Sequence, residues 1–439
     1  MPPRPDGYPV PLTAMQLYSW KYYSKQEMPL SVRMCAAALR IKGRLDTHLL
    51  AQSIDAVVSR HESLRTRFCV DDGMPRQVID SNGLARFELV DLTSTSTHTA
   101  ENHTLDLQVG EFLRERVDLS VGPMFAARLW RRSDQEHVLV LALDHIVGDS
   151  ISNVILTREI WQLYSKGTLG ETLSLPALSL QFPDYAVWQE QAHPTWRQKH
   201  EGYWKHRLEG APTTQLPCDS GLELSLDPVV AVRHVGLGTL LSAQLRRIAR
   251  HEEMPLPAVA LTAYAFVMSQ WCQQADLIVS FALHGRHNRP QLDGMIGFLV
   301  GFTFLRIDVS QEPTVVGLLR QVRQEFSAAL EHQEYFMVPD TFPTNVTEIG
   351  FNWLPTKTTR DSVSRRKIGN GDINVQPYSP KGFPSYTPPK FAPFFYEGPS
   401  GIALTVYYRP DQIRCDTIDR FASDLRQAAE EIAQRAIVS

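Results

Sequence analysis

Long apolar runs are missing from this 439-residue sequence; no stretch approaches the roughly 18 uncharged apolar residues that a membrane-crossing helix needs. The opening MPPRPDGYPVPLT carries no apolar core of the kind a secretory signal requires. Cysteine is sparse. The five residues, Cys35, Cys69, Cys218, Cys272 and Cys415, are scattered, odd in number and never paired as C-x-x-C. That pattern argues against a disulfide framework and against a zinc site. Positive charge is not in excess: 44 Lys and Arg face 48 Asp and Glu, a net charge of -4. Such a balance offers no basic face for nucleic acid and no polybasic arm for a membrane. No repeat of solenoid period and no low-complexity tail is present. The expectation is a cytoplasmic monomer with no bound metal or redox cofactor, and with neither nucleic acid nor membrane as partner.

What is present is an ordinary globular composition, 43% hydrophobic and 21% charged. At this length one core is too few, and two domains of about 200 residues each are expected. Leu12 to Tyr23 reads as an amphipathic helix capped by Thr13, and Ala36 to Ile41 as a strand. Asp46 caps a helix whose Leu50, Ile54, Val57 and Val58 form one apolar stripe. The run Arg60 to Phe68 (RHESLRTRF) reads as a charged turn ahead of a strand. Between Glu171 and Pro217 prolines alternate with aromatic residues, which reads as a linker ordered by packing. The domain boundary falls near its start, dividing 1–175 from 176–439. A second alternation follows, with helices at Leu240 to Arg250, Pro257 to Trp271, Val315 to His332 and Thr417 to Arg435. Strands are expected at Leu277 to Leu283, Phe304 to Val309 and Ile402 to Tyr408. The stretch 355–399, rich in Pro, Ser and Lys, reads as a long surface excursion with little regular structure. Two halves that each mix strands and helices predict a pair of α/β sandwiches.

The chemistry concentrates in one place. His137 to Leu143 (HVLVLAL) is a nearly continuous apolar run, as a strand buried on both faces requires. Asp144, His145, Asp149, Ser150 and Ser152 follow, and Ile151, Val154 and Ile155 then recur at helical spacing. Acids, a histidine and serines thus stand where a buried strand hands over to a helix, whose first N–H groups are free to meet negative charge. Alone, H-x-x-x-D describes a satisfied core histidine as well as a working one.

Several separated pieces then agree. Leu12-Thr13-Ala14-Met15-Gln16 with Trp20, the run Arg60 to Phe68, and Asp184-Tyr185-Ala186-Val187-Trp188 resemble motifs of the condensation domains of nonribosomal peptide synthetases. Tyr203-Trp204 with Leu216-Pro217, Gly285-Arg286, Gly297-Phe298-Leu299-Val300, His332-Gln333-Glu334-Tyr335 and Phe351-Asn352 continue the series in order. The family usually has Asn where Gly301 stands. The resemblance covers essentially the full length.

It implies two chloramphenicol-acetyltransferase-like lobes, α/β sandwiches in a V with a tunnel between them. It also implies partner carrier proteins whose phosphopantetheine arms bring in the thioesters, so that no cofactor belongs to the chain itself. The family pattern is His-His-x-x-x-Asp-Gly; this chain has Asp144-His145-x-x-x-Asp149-Ser150. His145 is then the catalytic residue. Because side chains alternate along a strand, Asp144 points away from His145 and reads as structural. Asp149 is structural too, paired in the family with the arginine of the Gly-Arg pair, here Arg286. Ser150, Ser152 and Asn352 are candidates for positioning substrate, and Ser152 also for capping the helix.

Three functions stay open. The first is a stand-alone condensation enzyme that forms an amide or ester from a carrier-bound acyl or aminoacyl thioester and an amine or alcohol, in secondary-metabolite synthesis. The second is a degenerate domain that recruits a partner without catalysis. The third is heterocyclisation, whose pattern Asp-x-x-x-x-Asp-x-x-Ser is met by Asp144, Asp149 and Ser152.

Overall fold

The structure, a computed structural model, describes residues 1–5, 7–24, 34–93, 98–115, 117–222, 230–286, 289–310, 315–341, 343, 346–354, 366–368, 373–378 and 390–438. Its strands are β1 (Val10–Pro11), β2 (Met34–Lys42), β3 (Thr66–Asp71), β4 (Met74–Ile79), β5 (Arg86–Asp91), β6 (Phe125–Ser133), β7 (Glu136–Asp144) and β8 (Ala231–Gly236). They continue as β9 (Asp276–Leu283), β10 (Gly301–Asp308), β11 (Gly350–Leu354), β12 (Arg366–Ile368), β13 (Ile373–Pro377), β14 (Phe391–Gly398) and β15 (Gly401–Tyr408). The helices are α1 (Ala14–Ser24), α2 (Thr47–Arg60), α3 (His98–Arg114), α4 (Ser150–Thr168) and α5 (Phe182–Leu208). Then come α6 (Thr239–His251), α7 (Leu256–Trp271), α8 (Val315–Glu331) and α9 (Cys415–Val438).

Two compact units divide the chain. The first holds Met1–Ala192, His284–Val300 and Arg360–Tyr386; the second holds His193–Leu283, Gly301–Thr359 and Thr387–Ser439. In the first unit a six-stranded sheet runs β12-β13-β2-β7-β6-β5, beside a small sheet β1-β4-β3. The apolar run of β7 lies between β2 and β6, antiparallel to both. Its alternation serves two cores at once. Leu139, Leu141 and Leu143 join Leu50, Ile54 and Val57 of α2 and Ile155, Leu156 and Ile160 of α4. Val138, Val140 and Ala142 join Leu105, Val109 and Phe112 of α3 on the other face. A strand covered on both sides has no polar face to spare, which is why it reads as continuous hydrophobics. Each such side chain contributes about 1.5–3 kcal/mol by leaving water.

In the second unit the sheet runs β10-β9-β11-β14-β15-β8, with β11 parallel to both β9 and β14. Helix α7 is buried nearly all round, from Ala258 to Met268. Its Tyr264 packs against Phe351, Phe395 and Phe421 at the centre of that core.

Three expectations change. The proline-aromatic stretch, expected as a linker ordered by packing, is helical over much of its length: Phe182–Leu208 forms α5. Pro183 falls in the first turn, where a missing N–H costs nothing. Pro194 lies inside the helix, which survives it because Tyr185, Trp196 and Trp204 are buried and packing outweighs propensity. The units are also not consecutive halves. The chain passes from the first to the second within α5, at 192/193, and residues 284–300 and 360–386 return to the first, so a single cut near 175 does not describe them. Finally, the 355–399 excursion contains β12, β13 and β14. Strand β13 extends the first sheet beside β2, while 355–365, 369–372 and 379–389 lie outside the described residues.

Candidate active site

The turn after β7 is built by its own polar side chains. Asp144 is buried at the end of the strand, and its Oδ1 accepts Ile146 N–H at 3.0 Å and the Tyr23 hydroxyl at 3.2 Å. The chain then folds back through Val147 N–H to Asp144 O at 3.0 Å. Gln16 holds the turn from outside, donating from Nε2 to Ile146 O at 2.8 Å. A capping box on α1 fixes Gln16 in turn: Thr13 N–H donates to its Oε1 at 3.0 Å, and Gln16 N–H to Thr13 Oγ1 at 3.2 Å. A Cβ at Gly148 would press on the Leu143 side chain, which would have to shift.

Asp149 caps α4 and is held by several bonds. Its Oδ1 accepts Ser152 N–H and Ser152 Oγ, both at 2.8 Å. Arg286 meets both carboxylate oxygens, Nη1 to Oδ2 at 2.8 Å and Nη2 to Oδ1 at 3.2 Å. Leu299 N–H adds a further bond to Oδ2 at 3.2 Å. Burial alone would raise this carboxyl; the Arg286 charge and the hydrogen bonds outweigh it and hold Asp149 below the usual carboxylate range. Gly285 brings Arg286 into place. Its φ is +67°, and a Cβ there would collide with the Leu299 carbonyl oxygen, so no other residue fits.

His145 stands between these two acids in sequence and bonds to neither among the described residues. Its ring is half-buried and packs on Phe298, centroids 4.7 Å apart and tilted by 56°. Nδ1 is buried with no hydrogen-bond partner among the described residues. Burial pushes the imidazole below its ordinary pKa, with the Asp149 and Asp144 charges pulling the other way, so near neutral pH the ring is uncharged. A neutral imidazole can accept a proton or a hydrogen bond.

The remaining candidates fall in three places. Ser150 is the first residue of α4 and is exposed. Ser152 is wholly buried in the first turn of the helix, its hydroxyl shared among Asp149, Gly297 O and Gly297 N–H. It does not cap the helix, which Asp149 does. Asn352 belongs to the second unit, on β11, and donates from Nδ2 to Pro393 O at 3.3 Å.

The run Arg60 to Phe68 is not a solvated charged turn. His61, Ser63, Leu64 and Thr66 are buried. Arg60 Nε and His61 Nε2 both meet Glu159 Oε2 of α4, at 3.1 and 2.8 Å, and Ser63 Oγ donates to Ile296 O at 2.8 Å. The run therefore braces both the site helix and the loop that carries Phe298. Glu159 was legible as an acid set among Ile155, Leu156, Ile160 and Trp161; an acid on an apolar stripe needs a buried partner. Among the described residues no group of His, Cys, Asp and Glu is arranged to hold a metal ion, and no helix is long and apolar enough to cross a membrane.

A sequence profile of the condensation domain matches residues 9–337. Isonitrile lipopeptide synthase of Mycobacterium tuberculosis (strain ATCC 25618 / H37Rv) is 29% identical over 441 residues, covering 97% of this chain. The chain spans 17% of that relative's length. Among solved structures, the complex of the X-domain and OxyB from teicoplanin biosynthesis gives a TM-score of 0.81 at 22% identity, covering 98% of this chain and 94% of that one. The first condensation domain of the calcium-dependent antibiotic synthetase, in complex with substrate analogue 2a, gives 0.74 at 17% identity, covering 98% of each chain. At these identities the two structures speak for the fold, a mixed α/β architecture of open sheets like that of chloramphenicol acetyltransferase. The motifs from Leu12 onward, the architecture and a profile match over well more than half the chain agree: this chain belongs to the condensation-domain family of the nonribosomal peptide synthetases.

Proposed function

We propose that the chain catalyses a condensation, joining an acyl or aminoacyl thioester on a carrier protein to an amine or alcohol acceptor, with His145 as the catalytic residue. In this reaction the acceptor attacks the thioester carbonyl carbon, the C–S bond breaks, and the acceptor's proton ends on the sulfur of the phosphopantetheine arm. His145 is suited to orient the acceptor and to pass that proton. The observation that carries the reading is a neutral, half-buried imidazole held at the end of β7 by a turn that several motifs converge to build. Among the described residues no carboxylate bonds to its Nδ1, so a developing imidazolium has no hydrogen-bonded counter-charge of the kind a serine-type triad supplies, only the nearby charges of Asp149 and Asp144. An amine with a pKa of about 7.7–8 is already partly neutral at cell pH, and suits such a group better than an alcohol does.

The direct test offers candidate acyl-carrier thioesters and amines to the protein and reads the carrier by intact mass. Acyl transfer dependent on both substrates is expected; no product with any thioester, from folded protein, counts against the enzyme reading.

A second reading is a recruitment domain that binds a carrier or a tailoring enzyme without turnover. Asp144 and Ser150 standing where the family has His and Gly favour it, as does the X-domain structure, a complex with OxyB. Heterocyclisation has less support. The letters of its pattern are met, but Asp144 and Asp149 are buried and committed to backbone N–H groups.

A further inference from the structure

We infer that Phe298 is the positioning residue for His145, and that Asp149, Ser152, Arg286 and Ser63 act on the site by fixing the loop that presents it. The inference rests on the reading of His145 as the working group. Catalytic histidines are commonly oriented by a hydrogen bond from the second ring nitrogen to a carboxylate or carbonyl. Among the described residues Nδ1 makes no bond of that kind within hydrogen-bond geometry, although backbone groups of His145 itself and of Gly148 lie near enough to favour the protonated ring. What meets its ring instead is the Phe298 side chain, 6% exposed, at 4.7 Å between centroids.

The neighbours of Phe298 are pinned one by one. Met295 O accepts Arg286 Nη2 at 3.0 Å, and Ile296 O accepts Ser63 Oγ at 2.8 Å. Gly297 N–H donates to Ser152 Oγ at 3.1 Å, and Leu299 N–H to Asp149 Oδ2 at 3.2 Å. Gly297 leaves room for Phe182, which a Cβ would overlap. Four anchors, at Met295, Ile296, Gly297 and Leu299 on either side of one aromatic residue, are explained if the loop's task is to aim that side chain. The tilted contact orients the imidazole while leaving both nitrogens able to carry the proton. It also excludes water from one face of the ring. The charged groups nearby are Asp144 at the end of β7, Asp149 at the start of α4 and Arg286 paired with Asp149. The Cys35 thiol on β2, raised by its own burial and by the two acids, stays neutral.

The experiment follows the His145 ring by NMR in the full chain labelled with 13C-histidine, the signal assigned by its loss in His145→Gln. Phe298→Ala should shift the signal and raise its titration midpoint by about one pH unit as water reaches the ring. Phe298→Leu, which keeps bulk, should shift it less and serves if the alanine variant does not fold. Where turnover is measurable, kcat should fall about tenfold or more in Phe298→Ala with KM little changed. An unchanged His145 shift and titration in folded Phe298 variants overturns the assignment. Movement of the signal in a protein that forms no product supports the positioning role and removes the enzyme reading instead.

Discussion

At the scale of single residues, two acids flank His145 and neither bonds to its ring among the described residues. Asp144 accepts a backbone N–H and a tyrosine hydroxyl, bonds an amide oxygen can also accept. Asp144→Asn should therefore keep at least about a tenth of the activity, far above the roughly 10²- to 10⁴-fold loss typical of a missing general base. Abolished turnover in the folded variant would make Asp144 chemical and move heterocyclisation forward. Asp149 is different because its charge is matched by Arg286. Removing one side of a buried pair costs about 3–5 kcal/mol, so Arg286→Ala should lower the melting temperature clearly. The sign with pH is fixed by the lowered carboxyl. Its stabilisation is complete above the unfolded value of about 3.9 and is lost as pH falls through the folded value. The gap in melting temperature between wild type and Arg286→Ala should be widest near neutrality and close below about pH 4. A gap independent of pH would mean that the pair is not what stabilises the fold there.

At the scale of elements, the site is a strand end, a helix start and a loop held by glycines with distinct duties. A Cβ at Gly148 would meet a leucine side chain, which can move; one at Gly285 would meet a carbonyl oxygen at positive φ, which cannot. Gly285→Ala should thus destabilise the protein well beyond Gly148→Ala in parallel thermal melts, and equal losses would refute the backbone explanation. Much of this level was legible from the sequence. Strand β7 and helix α4 follow from an apolar run and a helical period, whereas the cap, expected at Ser152, is Asp149. Helix α5 was not, because its prolines look like breaks until the burial of Tyr185, Trp196 and Trp204 is known. Nor was the buried bracing by Arg60 to Phe68, since Glu159 lies 98 residues from His61 and no local pattern links them.

At the scale of the whole molecule, each unit carries its own sheet and core. The alternation of strands and helices announced two α/β sandwiches. It did not announce that residues 284–300 and 360–386 return to the first unit. Such returns depend on long-range pairing, as between β13 and β2, and a short polar-flanked strand gives little local sign of its partner. Family membership rests on the profile match and on motifs spread along the chain, and the central claim is that His145 in the turn after β7 does chemistry. The decisive measurement is turnover and carrier-protein affinity together, for wild type and His145→Ala with cognate thioester and acceptor. The account predicts that His145→Ala loses on the order of 10²-fold or more in turnover while binding its carrier as tightly as wild type. Undiminished turnover in His145→Ala, or a wild type that binds its carrier tightly and forms no product, would contradict it.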